Sequence, residues 1–150
     1  MKVGVLFPSR LDDPGDFLAD ARAMEAAGAD SVWMEDDDGV DPMLALAAIS
    51  AVTGQLRLGL IRRNVPSPSG GGSGRTLETL QQLSRQRVIT DTERWRRVEV
   101  PADREAWAKT LQEAEPDFDG VLVPLDARLL DILRHPEDVI DRSDLLVAQG

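Results

Sequence analysis

The chain predicts an α/β fold of parallel, TIM-barrel-like β/α units, shortened to about five or six strands, and three observations carry that prediction. Short apolar runs alternate with helical stretches through the first third of the chain, at a spacing of about 26 to 28 residues, the repeat of right-handed β-α-β crossovers. The chain has 150 residues, one domain's worth and well short of the roughly 250 usual for a complete eight-fold barrel. A single stretch at 65–74, rich in Pro, Gly and Ser, interrupts the rhythm.

Each element follows from its own pattern. Val3 to Phe7 is a continuous apolar run stopped by Pro8, as expected of a strand covered by helices. Asp16 to Ala27 puts Phe17, Leu18, Ala21 and Met24 at helical spacing, with Pro14 near the start and Gly28 at the end. Ser31 to Met34 is the second strand. Asp41-Pro42 opens a strongly apolar helix that runs to Val52 and closes at Gly54, and Leu56 to Ile61 is the third strand. Val65 to Gly74 reads as a flexible connector within one domain, 1–150. A helix from Thr76 to Ser84 and a brief strand at Val88 to Thr90 follow. Between 91 and 100 the alternation of Trp95, Val98 and Val100 hints at a strand. The rhythm returns with a helix from Asp103 to Glu115, a strand from Gly120 to Pro124 and a helix from Ala127 to Leu133; Leu145 to Ala148 reads as a last strand or an extended arm.

Charge and composition narrow the function classes. A net charge of -10 disfavours nucleic acid and anionic membrane surfaces, because phosphate binding needs clustered Lys and Arg. Cysteine is absent, which removes disulfides, thiolate metal sites and thiol nucleophiles. The apolar runs are too short to span a membrane, and Met1-Lys2 leads straight into a strand instead of a signal peptide. The expected setting is cytoplasmic.

Several phrases, in order, resemble the luciferase-like monooxygenases: Lys2-Val-Gly-Val-Leu-Phe-Pro8, Ala27-Gly-Ala-Asp-Ser-Val-Trp33, Asp41-Pro42 opening an Ala/Leu helix, and Leu56-Arg-Leu-Gly59. Thr79-Leu-Gln-Gln-Leu-Ser-Arg-Gln-Arg-Val88 resembles the segment entering the family's fourth strand. The resemblance implies a β/α-barrel oxidoreductase that uses FMN or F420 on a small-molecule substrate. The chain departs from the family at four places. Asp36-Asp37 stands where members often have Asp-His, and Arg85-Gln86 replaces Gly-Gly. About three β/α units are absent between 90 and 103, and Pro124-Leu-Asp-Ala127 offers no Gly- or Ser-rich phosphate site.

Ligands of parallel α/β proteins sit at the carboxyl ends of the strands. With the resemblance, that position implies Phe7, Pro8, Ser9, Leu60 and Ile61 as cofactor-binding candidates and Asp36 and Asp37 as catalytic candidates. The Asp36/Asp37 pair suits acid/base work if the loop turns to bring the carboxylates together. Glu35 to Asp38, with Asp12 and Asp13, reads first as a solvated acidic rim and second as a hard-cation site, without the spacing of a known cage; no metal is assigned. Trp33 is expected in the core, Trp95 and Trp107 in ordinary packing or an oligomer contact, and His135 at a helix end without a catalytic role. Residues 70 to 74 lack the Lys of a phosphate loop. A shortened barrel leaves edges and apolar surface that association would cover, so a homodimer is expected. The alternative to the enzyme is a non-catalytic shortened barrel acting as a binding or assembly subunit.

Overall fold

The computed structural model describes residues 1–62, 71–90 and 93–134, with residues 71–73 described in their backbone alone. The elements run β1 (Lys2–Leu6), α1 (Pro14–Ala26), β2 (Ser31–Glu35), α2 (Pro42–Val52), β3 (Arg57–Ile61), α3 (Gly71–Leu83), β4 (Trp95–Arg97), α4 (Arg104–Ala114), β5 (Gly120–Pro124) and α5 (Ala127–Arg134). Five parallel strands form one sheet in the order β3-β2-β1-β5-β4. The first strand is central because the chain winds out to one side through β2 and β3, then returns to the other through β4 and β5. This is the expected parallel β/α architecture of a truncated barrel.

Strand alternation divides the residues into two layers. Val5, Phe7, Val32, Met34, Leu58, Val121 and Val123 face the helices and make the core with Phe17, Met24, Leu46, Ile49, Trp107 and Leu129. The other set faces the concave side, where the sheet curls on itself: the rings of Trp33 on β2 and Trp95 on β4 meet at 5.2 Å between centroids, although three strand spacings separate them in the sheet. Trp107 packs in the helix-side core.

Helix ends explain where the chain turns. At the close of α1, Gly28 takes a φ of 93° while its N–H bonds the Glu25 carbonyl and the Ala29 N–H bonds that of Met24, a Schellman cap that needs a left-handed residue. The same motif closes α3, with Gln86 N–H on the Gln81 carbonyl and Arg85 N–H on that of Gln82. Here Arg85 and Gln86 hold φ values of 56° and 65°. Side chains with a Cβ are strained in that region, and this is the place where the luciferase-like pattern has Gly-Gly. Arg85→Gly is therefore expected to raise the unfolding free energy by about 1 kcal/mol, read as a higher urea midpoint at unchanged m-value; a lower midpoint would show that the Arg85 side chain outweighs the strain.

Two expectations need correction. The sixth strand, expected at Val88 to Thr90, is a single parallel bridge between Leu58 and Val88. Its outer backbone groups are taken by the side chain of Gln81, whose amide oxygen accepts from Val88 N–H at 3.1 Å and whose amide nitrogen donates to Val88 C=O at 3.2 Å. A side chain thus covers the edge that a further strand would extend. Of the connector expected at 65–74, Gly71 to Gly74 belong instead to α3. Once Leu80 is buried against the core, each residue added to the helix gains a hydrogen bond that offsets glycine's poor propensity of about 1 kcal/mol. The rest of that stretch, His135 and the Leu145 to Ala148 arm lie outside the described residues.

Candidate functional site

Three levels of side chains fill the concave side, from the amino ends of the strands to the carboxyl ends. At the bottom, Lys2 Nζ bonds Glu93 Oε1 at 2.6 Å. Arg57 Nη2 reaches Asp30 Oδ2 at 2.8 Å and Glu93 Oε2 at 3.2 Å. Hydrogen bonds from Arg57 and then Lys2 hold the Glu93 carboxyl below its usual range, against the opposing effect of burial. This cluster ties β1, β3 and the entry to β4 together at the face where barrel residues serve stability.

The middle level is aromatic. Trp33 is buried and its Nε1–H donates to Ser31 Oγ at 2.9 Å. Its indole lies on Gly59, where an added Cβ would stand 2.1 Å from the ring, and against Gly4, where the distance would be 2.7 Å. Trp95 lies on Gly120 in the same way, at 2.3 Å. Three strand glycines thus make room for two indoles that close the interior, leaving Trp95 Nε1 buried without a partner among the described residues. At the top, Glu35 of β2 and Arg97 of β4 form an ion pair across the mouth.

The expected site residues fall into two groups. Ser9 and the loop after β2 come together, with Val40 N–H on the Ser9 carbonyl at 2.8 Å and Gly39 too close to that carbonyl to carry a Cβ. Asp36 N–H bonds the Ile61 carbonyl at 2.9 Å, joining the ends of β2 and β3. Pro8 is exposed beside them. Phe7 instead packs edge-on against Phe17 of α1, 5.3 Å between centroids, and Leu60 packs on the helix-side core. The loop does turn after Glu35, but Asp37 Oδ1 accepts its own loop's Gly39 N–H at 2.8 Å. Among the described residues no group of three or more acidic, His or Cys side chains is placed to hold a metal ion.

A flavin at these strand ends needs a space for its ring and donors for its phosphate, and the residues present do not fit it. The ring's space is crossed by Glu35–Arg97 and packed beneath by Trp33 and Trp95. One cavity of about 260 Å³ lies between α1 and α2, one of about 340 Å³ between β4 and α4, with Arg97 in its wall, and one of about 340 Å³ on α3. Phosphates bind helix amino-termini through free N–H groups. Here α1, α2 and α4 begin on Asp13, Asp41 and Asp103, whose carboxylates each take one or two N–H groups of the first turn, and Asp126 does the same to Arg128 N–H at the start of α5. Four of the five helices among the described residues already carry an anion at the end where a phosphate would bind.

The glycine seats, Glu93 and the Glu35–Arg97 pair were not expected from the sequence. A signal existed in the glycines at strand positions 4, 59 and 120, since a glycine inside a strand marks close approach by another group. No helix among the described residues is long and apolar enough to cross a membrane. No curated protein matches the chain. A family model described as luciferase-like monooxygenase matches residues 1–90, from β1 through the Val88 bridge. With more than half of its length matched in this way, the chain belongs to the luciferase-like monooxygenase family.

Proposed function

We propose that this chain is a non-catalytic member of its family, a shortened barrel that acts as a binding or assembly subunit. The observation that carries the reading is the closed interior: Trp33 and Trp95 seated on Gly59 and Gly120, beneath the Glu35–Arg97 pair. A cofactor enzyme of this architecture must keep the strand ends open so that its cofactor's reactive atom meets substrate. This chain spends that space on packing.

A second reading, a flavin- or F420-dependent oxidoreductase acting on a small molecule, is favoured by family membership and by the retained contacts of Ser9 with Val40 and of Asp36 with Ile61. Titration of the folded protein with FMN and with F420, followed by cofactor and tryptophan fluorescence, separates the two. The scaffold reading expects no saturation by either. Saturable micromolar binding of one of them would overturn it and direct mutagenesis to Asp36 and Ile61.

A further inference from the structure

We propose that the outer edge of β4 is a docking site for an extended segment of a partner protein in which carboxylates alternate with apolar residues. Backbone direction carries the first part of the argument. The Arg94 carbonyl accepts the Asp119 and Gly120 N–H groups, and Val98 N–H donates to the Leu122 carbonyl, so residues 94, 96 and 98 turn their backbone groups toward β5. Successive residues of a strand point these groups to opposite sides, which leaves Trp95 and Arg97 with N–H and C=O directed away from the sheet. Strand β4 ends the sheet, and among the described residues β5 is the one strand paired with it. The opposite edge is built differently: at Val88 the Gln81 side chain takes both backbone groups. No such side chain covers Trp95 and Arg97 among the described residues. One edge is closed, and the other can accept a strand.

Side chains select the occupant. Residues 94–97 read Arg-Trp-Arg-Arg, and the arginines are all exposed. Pleating puts Arg94 and Arg96 on the helix side, with Arg96 over the Phe118 ring at 6.0 Å, and Trp95 on the concave side. A strand laid along this edge meets two cations on one face and an indole on the other, which matches carboxylates alternating with apolar side chains. Neighbouring carboxylates do not cancel those cations: Glu93 is held by Arg57 and Lys2, Glu35 by Arg97 and Glu113 by Lys109, and Glu99 lies past the strand's end. A second copy fits badly, because two β4 edges side by side oppose arginine with arginine. The chain's own residues after α5 fit badly for a topological reason. The steps from β1 to β2 to β3 and from β4 to β5 advance in one direction across the sheet. A parallel strand after α5 would have to step the other way to reach the outer edge of β4, reversing the hand of its crossover.

This deepens the scaffold reading by naming its partner, and the two fail separately: saturable FMN or F420 binding removes that reading, while an edge that binds no peptide removes this one. The probe is a fluorescein-labelled synthetic peptide of alternating Glu and Val, titrated with the full chain and followed by anisotropy. Saturable binding is expected, weakened by about 10-fold or more in the Arg94→Glu/Arg96→Glu double variant with an unchanged circular dichroism spectrum. Arg22→Glu/Arg128→Glu, the same change of charge placed on α1 and α5, is expected to leave the affinity as it is. Two further peptides test strand pairing itself. N-methylation of every Val, or of every Glu, removes the amide donors along one side of the peptide, so one of the two should lose binding and the other keep it. Absence of saturation, binding that survives both N-methylated forms, or equal binding of a peptide with its Glu and Val residues in two separate blocks overturns the proposal. So does an equal loss in the two double variants, which would reduce the effect to net charge. A two-chain mass by light scattering that falls to one chain in Arg94→Glu/Arg96→Glu would assign the edge to a second copy and overturn it as well.

Discussion

Gly59→Ala is expected to lower the unfolding free energy by about 3 kcal/mol or more, beyond the usual range for one added methyl group in a packed core. The new Cβ would stand 2.1 to 2.4 Å from three atoms of the Trp33 ring. The ring cannot retreat, because Trp95 lies against it and its Nε1–H is held by Ser31 Oγ. Gly54→Ala is the matching control: nothing lies within 4 Å of its added Cβ, so a near-neutral change is expected. Replacing Trp33 with Leu in the Gly59→Ala background makes the room the methyl needs. The double variant should therefore be more stable than the two single losses summed, by more than about 1 kcal/mol. Urea unfolding of the four proteins measures this. Additive losses would mean that Gly59 and Trp33 do not share the interior, and the account of a packed concave side would go with them.

The first three strands and the helices between them were legible because they obey local rules. Apolar runs of strand length, the Asp41-Pro42 start and the Gly28 stop each fall within a residue or two of the observed ends. Strand β4 was harder to read. It is three residues long, and its meaning comes from partners far along the chain: Trp95 from Trp33, Arg97 from Glu35 and Glu93 from Lys2 and Arg57. Pattern reading pairs neighbours, while a curled sheet pairs β2 with β4 across its interior. The site residues divided for a related reason. The strand ends were located correctly, but whether Phe7 and Leu60 face the ligand side or the helices depends on the pleat, and a shift of one residue reverses the answer. Trp33 was expected in the core, and it is buried, though on the concave side instead of the helix side.

The same separation in sequence hides a polar anchor of the fold at Arg87, with five side-chain hydrogen bonds. Its guanidinium donates to the Ser50, Thr53 and Leu56 carbonyls, to Thr53 Oγ1 and, through Nε, to the Ser84 carbonyl, at 2.7 to 3.2 Å. The open carbonyls at the end of α2 thus find one cation. On the other side of the turn, the Glu25 carboxylate accepts the N–H groups of Gly54, Gln55 and Leu56 at 2.7 to 3.2 Å. The two side chains clamp residues 53–56 from opposite sides and so fix where β3 begins. Arg87→Met keeps much of the aliphatic stem and removes all five bonds; a loss of about 3 kcal/mol is expected, since hydrogen bonds from a charged donor are each worth more than neutral ones. Arg87→Lys should recover only part, because an ammonium cannot span acceptors arranged for a planar fork. Burial pushes the Glu25 carboxyl up, but its three backbone bonds and the nearby Arg87 outweigh that and leave it below its ordinary 4.5. A carboxyl depressed in the folded state contributes stability that is complete above its unfolded value and declines as pH falls through the folded one. Wild-type stability should therefore drop on acidification below about pH 4.5, and Glu25→Gln should show a shallower drop from a lower starting value. An equal slope in the two proteins would mean that Glu25 does not sense the fold, and the clamp would then rest on Arg87 alone.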